Sequence, residues 1–343
     1  MPEIVPLIDF ADAINRIPEI KQRHLLLGNG FSRALRNDIF SYSALFDQAD
    51  FQALSSEARK AFDVLGTTDF ETVMRALRDA SKLVELYEPK NPVLAARLRD
   101  DASGLKEVLV QTIAKNHPDR PGDISPDSYS HCRTFISYFG TVYTLNYDLL
   151  LYWTLMQEEL PPPIDFDDGF RTPDDGPDNY VTWEVEKTDK QNIHYLHGAL
   201  HIFDAGSELQ KYTWVNTGVP LIDQIRDALT AGLYPLFVAE GESDQKLAHI
   251  KHSGFLSRSY RSFAKLGHAL YIYGHSMAPN DEHILRLIEK NRVTNLYVGL
   301  YGDITSEGNQ RIIRRVQQMQ NTRPDRRPLI VEFFAAESAH VWG

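Results

Sequence analysis

The chain has 343 residues, 43% of them hydrophobic, enough for a large buried core; at about 100 to 200 residues per domain this fits one elaborated domain or two. Its 36 Lys and Arg against 47 Asp and Glu give a net charge of −11, with no basic tract, which argues against direct nucleic-acid binding. Cys132 is the only cysteine, so an intramolecular disulfide and a cysteine-based zinc site are excluded.

The amino terminus, MPEIVPLIDFADAINR, has neither a basic segment nor a continuous apolar run, and no later stretch reaches the roughly 18 apolar residues of a membrane span. The expectation is a soluble cytoplasmic protein. Along the chain, short apolar runs suited to buried strands alternate with amphipathic stretches suited to helices. The predicted strands are His24–Leu27, Thr141–Leu145, Ile193–Leu196, Leu236–Ala239, Ala269–Tyr273, Asn295–Leu300 and Leu329–Phe334. This alternation predicts an α/β fold, a mainly parallel sheet with helices on both faces. Between the first two strands more than a hundred residues read as helical, including Thr68–Tyr87 and Pro92–Lys115, so a helical insertion is expected at about 40–130. Pro161–Asp178, with three consecutive prolines, repeated acids, Gly169 and Gly176, reads as a surface loop at about 160–180.

In open α/β sheets ligands bind beyond the carboxyl ends of the strands, and four polar or glycine-bearing strand ends stand out. The first is HLLLGNGFSRAL, where Gly28, Asn29, Gly30 and Ser32 lead from a strand into a helix. Two glycines permit close backbone approach, and a helix amino terminus offers N–H donors to a phosphate; a plain strand-to-helix turn explains them equally. The third glycine of a dinucleotide fingerprint is replaced by Arg33, which speaks against a hydride-transferring dehydrogenase. The second is TVYTLNYDLL, in which Asn146 can orient a ligand or a water through its amide and Asp148 either joins the site or caps the helix Leu149–Met156.

The third, NIHYLHGALHIF, carries His194, His197 and His201. Metal ligation by these three is one reading, but in a strand His194 and His197 point to opposite faces and no H-E-x-x-H accompanies them. A general base at His197 suits a strand end, because imidazole titrates near neutral pH, and His194 and His201 then read as packing or surface residues. The fourth, ALYIYGHSMAPNDEHILRLI, ends a strand at Gly274, His275 and Ser276, with Asn280 and Asp281 read as helix caps. Ser276 can donate to a phosphate or ribose oxygen.

In this order, GNGFS at Gly28 to Ser32, TLNYD at Thr144 to Asp148, HG at His197–Gly198 and YGHSM at Tyr273 to Met277 resemble the motifs of bacterial sirtuin-like proteins. The resemblance runs from about Arg23 to Asp303. It implies one Rossmann-like domain over residues 1–343, with NAD in the site. Gly28, Asn29, Gly30 and Ser32 would then hold the pyrophosphate, Gly274 and Ser276 a second phosphate or ribose contact, with Asp148 among the cofactor-binding residues and Arg33 and His275 as anion contacts near the pyrophosphate. Asn146 and His197 are the implied catalytic residues. The four-cysteine zinc module of sirtuin deacetylases cannot be built from Cys132 alone, and no acyl-lysine groove is recognisable. The resemblance therefore implies NAD hydrolysis to ADP-ribose and nicotinamide without a metal, of the kind used in antiphage defence. It also implies control by homo-oligomerisation, a partner ATPase or another activator, with the helical insertion as the surface involved. A module that senses NAD or ADP-ribose without cleaving it, and a hydrolase using the three histidines and a metal, are the competing expectations.

Overall fold

The computed structural model describes residues 3–173, 180–206, 208–213, 218–238 and 243–343. Its strands are β1 (Leu7–Ile8), β2 (Arg23–Leu27), β3 (Thr141–Thr144), β4 (Phe170–Arg171), β5 (Tyr180–Trp183), β6 (Ile193–Tyr195), β7 (Gly198–Asp204), β8 (Leu209–Tyr212), β9 (Pro235–Phe237), β10 (Gly267–Tyr273), β11 (Arg292–Leu300) and β12 (Ile330–Ala335). Seven of them form a parallel sheet in the order β1-β12-β11-β10-β2-β3-β6.

The strand sequences explain why this sheet is covered on both sides. Successive side chains point to opposite faces, and a sheet buried on both faces needs apolar residues at every position. In β2, Leu25 and Leu27 join one core with Phe10, Phe135 and Tyr271, whereas Leu26 joins another with Leu270, Ile272 and Ile284. All three leucines have no solvent exposure. The architecture is Rossmann-like, and the helices flank the sheet as the apolar pattern predicts.

The predicted helical layer is present between β2 and β3, built around the helices Phe70–Tyr87 and Pro92–Asn116, which pack against each other. Their starts are fixed by Asp69, whose side chain accepts from Glu71 N, and by Asn91, which accepts from Leu94 N with Pro92 following.

Two expectations need correction. The run from Leu236 supplies no strand to the parallel sheet; β9 pairs antiparallel with β7 in a second sheet, order β4-β5-β8-β7-β9, and Ala239 lies outside the described residues. Its strand β7 begins at Gly198, whose φ of 81° turns the chain away from β6, a change of direction only local backbone geometry reveals. The segment read as a surface loop also contributes structure. Asp168 is buried in an ion pair with Lys211, and Phe170 packs into the core from β4. Its residues 174–178, Gly176 among them, lie outside the described residues. Among the described residues, no helix is long and apolar enough to cross a membrane.

Candidate functional site

Read from β6 towards β12, the sheet order is β6-β3-β2-β10-β11-β12: the chain builds outward from β2 in one direction and then, from β10, in the other. The reversal leaves a crevice at the carboxyl ends of β2 and β10. Register aligns the ends, because Leu27 pairs with both Tyr273 and Thr144, and Thr144 pairs with Tyr195. Gly28, Gly274, Leu145 and Leu196 therefore emerge in one row, followed by Asn29, His275, Asn146 and His197.

At the crevice the two glycine loops touch. Gly28 N donates to Tyr273 O at 2.9 Å and Gly30 N to Gly274 O at 2.8 Å. A Cβ on Gly28 would lie 2.7 Å from Gly274 O, and one on Gly30 would lie 2.5 Å from Gly274 Cα. Gly274 itself adopts φ +70°. The three glycines are thus required by the contact between the loops, and the Gly30 N–H, expected to face a phosphate, is already bonded.

A cleft of about 960 Å³ opens over this contact, within the ordinary size of ligand sites. Gly28, Asn29, Gly30, Arg33, Asn146, Asp148, His197, Gly274, His275 and Ser276 all line it. Ser32 is corrected: it is fully buried beneath the wall, where its Oγ donates to Asp148 Oδ2 at 2.5 Å and accepts from Asn146 Nδ2 at 2.8 Å. It holds two cleft side chains in place and does not reach into the cleft. Asp148 also accepts from Leu150 N at 2.9 Å, so it holds the start of the following helix while it lines the cleft. Burial raises the Asp148 carboxyl above its ordinary range, and the Ser32 hydroxyl only partly offsets this. Asn29 turns its amide to Phe40 O at 3.0 Å, while Ser276 is exposed at the rim.

His197, 2% exposed, has its Nε2 3.0 Å from His283 Nε2. Burial, reinforced by the nearby Lys246 ammonium, holds His197 well below the usual histidine range, and burial brings His283 down to about 4. Two neutral rings at this distance share one proton: one Nε2–H donates to the other lone pair.

Behind them sits a charged cluster. Lys246 has no solvent exposure and donates to Glu71 Oε2 at 2.6 Å and to Asp281 Oδ1 at 3.3 Å. Asp281, read from sequence as a helix cap, makes no capping bond. It instead accepts from His275 Nε2 at 3.0 Å, while Met277 N donates to His275 Nδ1 and so fixes that ring's proton on Nε2. Asn280 and Tyr147 both donate to Glu71, at 2.5 and 3.2 Å. Lys246 and the His275 bond drive Asp281 well below the usual carboxylate range against the opposing effect of burial; burial raises Glu71 despite Lys246.

The three histidines that suggested a metal do not gather. His194 stacks on Tyr143 at 4.8 Å, and His201 packs between Tyr152 and Tyr195. Among the described residues the donor set that does converge, within 4.8 Å, is His197, Asp281 and His283. Lys246 already supplies the cation beside Asp281 there.

Glu71, Lys246 and His283 lay outside the sequence reading of the site. Only His283 carried a signal, as a histidine three residues beyond Asn280 in the fourth strand-end motif. Glu71 and Lys246 sit in ordinary amphipathic helices, where a charged residue reads as solvent-facing.

The topology defines a Rossmann-like α/β protein with its cleft at the reversal of the strand order. Residues 25–342 match the family described as a domain of unknown function, DUF4917, and the chain belongs to that family. No curated protein matches it.

Proposed function

We propose that this protein is a NAD hydrolase that cleaves the bond between nicotinamide and ribose with water as acceptor. The observation that carries this reading is the convergence of Asn146, Asp148 and His197, from the ends of two strands, on one wall of a cleft at the switch point. The resemblance to sirtuin-like motifs chooses NAD among nucleotides.

Cleavage breaks the ribose C1′–N bond, and the electron pair neutralises the pyridinium nitrogen, so the leaving group needs no acid. Positive charge develops on the ribose, and a water oxygen bonds to C1′ as its proton passes to the protein and then to solvent. A base must therefore be neutral at working pH. His197 meets that need, because burial and Lys246 keep its ring unprotonated and His283 fixes its orientation. Asn146, held by Ser32, positions the ribose or the water, and Asp148 faces the developing charge. The pyrophosphate lies along Asn29, Arg33 and Ser276 at the junction of the glycine loops.

A role in antiphage defence, with control by self-assembly or a partner ATPase, belongs to the same proposal. Leu86, Tyr87 and Val93, exposed where one long insertion helix ends and the next begins, are the side chains through which such an assembly would act. The purified protein is incubated with NAD and released nicotinamide is measured, alongside Asn146→Ala and His197→Ala. Release by the wild type alone supports hydrolysis, with each variant slower by about 10² to 10⁴. Saturable binding without release would instead leave a sensor.

A further inference from the structure

We infer that the cleft selects a dinucleotide whose adenosine ribose carries a free 2′-hydroxyl, and that Glu337 is the side chain that rejects a 2′-phosphate. This rests on the NAD reading, which places the reacting ribose beside Asn146 and His197. The other nucleotide must then lie across the glycine loops, over the ends of β11 and β12. From β3 to β12 are four strand steps, ~19 Å at about 4.8 Å each, a span that fits an extended dinucleotide.

The far end has a specific composition. Tyr301, Asn309, Glu337 and His340 line it. Glu337 lies in the short helical turn Ala336–Ala339 after β12, and its Oε1 accepts from Gly302 N at 2.7 Å, so the turn after β11 holds the carboxylate at the cleft wall. Tyr301 is 74% exposed and offers an aromatic face on which a base can stack. Arg33 is the only Arg or Lys among the described lining residues, and its Nε donates to Asn37 Oδ1 at 2.9 Å on its own helix. A fixed carboxylate accepts hydrogen bonds from vicinal ribose hydroxyls; a phosphate dianion in the same place faces like charge without a partner.

The test uses ligands that cannot be cleaved. ADP-ribose and ADP-ribose 2′-phosphate are titrated by calorimetry into wild type, Glu337→Gln and Glu337→Arg at about pH 8, above the ordinary histidine range. Nicotinamide release from NAD is measured on the same wild-type preparation. The wild type is expected to bind ADP-ribose at least about tenfold more tightly than its 2′-phosphate. Glu337→Gln, which keeps an acceptor for Gly302 N, narrows the gap, and Glu337→Arg reverses it. Equal wild-type affinities, or a gap that neither variant moves, overturn the role of Glu337 even if nicotinamide is released. Discrimination without release sustains Glu337 and removes the hydrolase reading. If neither ligand binds, the role of Glu337 is overturned, and absence of nicotinamide release alongside removes the hydrolase reading as well.

Discussion

His197 and His283 face each other Nε2 to Nε2 at 3.0 Å in a pocket that keeps both rings neutral. A neutral buried histidine binds fewer protons folded than unfolded, so the unfolded state gains protons as the pH falls through about 6.5. His117, lowered to about 4, and His194, lowered to about 3, add to the same slope. Stability is therefore fully present above about pH 6.5 and is lost between there and about pH 4. Glu71 and Asp148, raised by burial, act in the opposite sense but are outnumbered. Thermal melting from pH 8 to pH 4 is expected to show a falling midpoint below about pH 6.5. A midpoint constant down to pH 4 would show that these rings are solvated.

Ser32 is expected to act on the reaction without touching substrate. Ser32→Ala leaves Asp148 Oδ2 and Asn146 Nδ2 short of a buried partner, a loss of about 1–3 kcal/mol. In the proposed reaction kcat should fall by about tenfold or more with KM little changed, since the lost bonds orient Asn146. A rise in KM with kcat intact would return Ser32 to the ligand contacts.

Gly30 and Gly308 make a controlled pair. An alanine Cβ at Gly30 collides with the Gly274 backbone, which cannot yield without breaking the hydrogen bond from Gly30 N, whereas at Gly308 it meets nothing within 4 Å. Gly30→Ala should destabilise by more than about 2 kcal/mol. Gly308→Ala, in the helix Glu307–Thr322, should be neutral or stabilise by up to about 1 kcal/mol. Urea melts of both proteins distinguish a packing requirement from a general intolerance of alanine.

Lys246 neutralises two buried carboxylates, so Lys246→Met strands Glu71 and Asp281 together. The expected loss is about 3–5 kcal/mol, reduced at acid pH where one carboxyl can protonate. Lys246→Met combined with Glu71→Gln should recover part of it. If the double variant is no more stable than the single one, the ion pair is not what Lys246 contributes.

The sheet was legible because its strands are short, apolar and separated by glycine or polar residues: each parallel strand from β2 onward was recognisable within a few residues. The two-residue β1 was too short to register. β9 was assigned to the wrong sheet, since pairing partners cannot be read from a three-residue run. At the cleft, Asn146, Asp148 and His197 are legible because they lie within four residues of the ends of β3 and β6. Ser32 was misplaced because the helix following Gly30 turns its side chain inward. Glu71 and Lys246 are separated by 175 residues, and their meeting depends on how the insertion packs, which no local pattern encodes.

The attachment of Glu71 gives the insertion a mechanical standing. Its helix, Phe70–Tyr87, has 18 residues, about 27 Å of rod at 1.5 Å per residue. One end is tied through Glu71 to Lys246, Asn280 and Tyr147, within a single further contact of His197; the other carries Leu86 and Tyr87 into solvent. The helix thus ties the apolar side chains at its outer end to the charged cluster beside the cleft at its inner end.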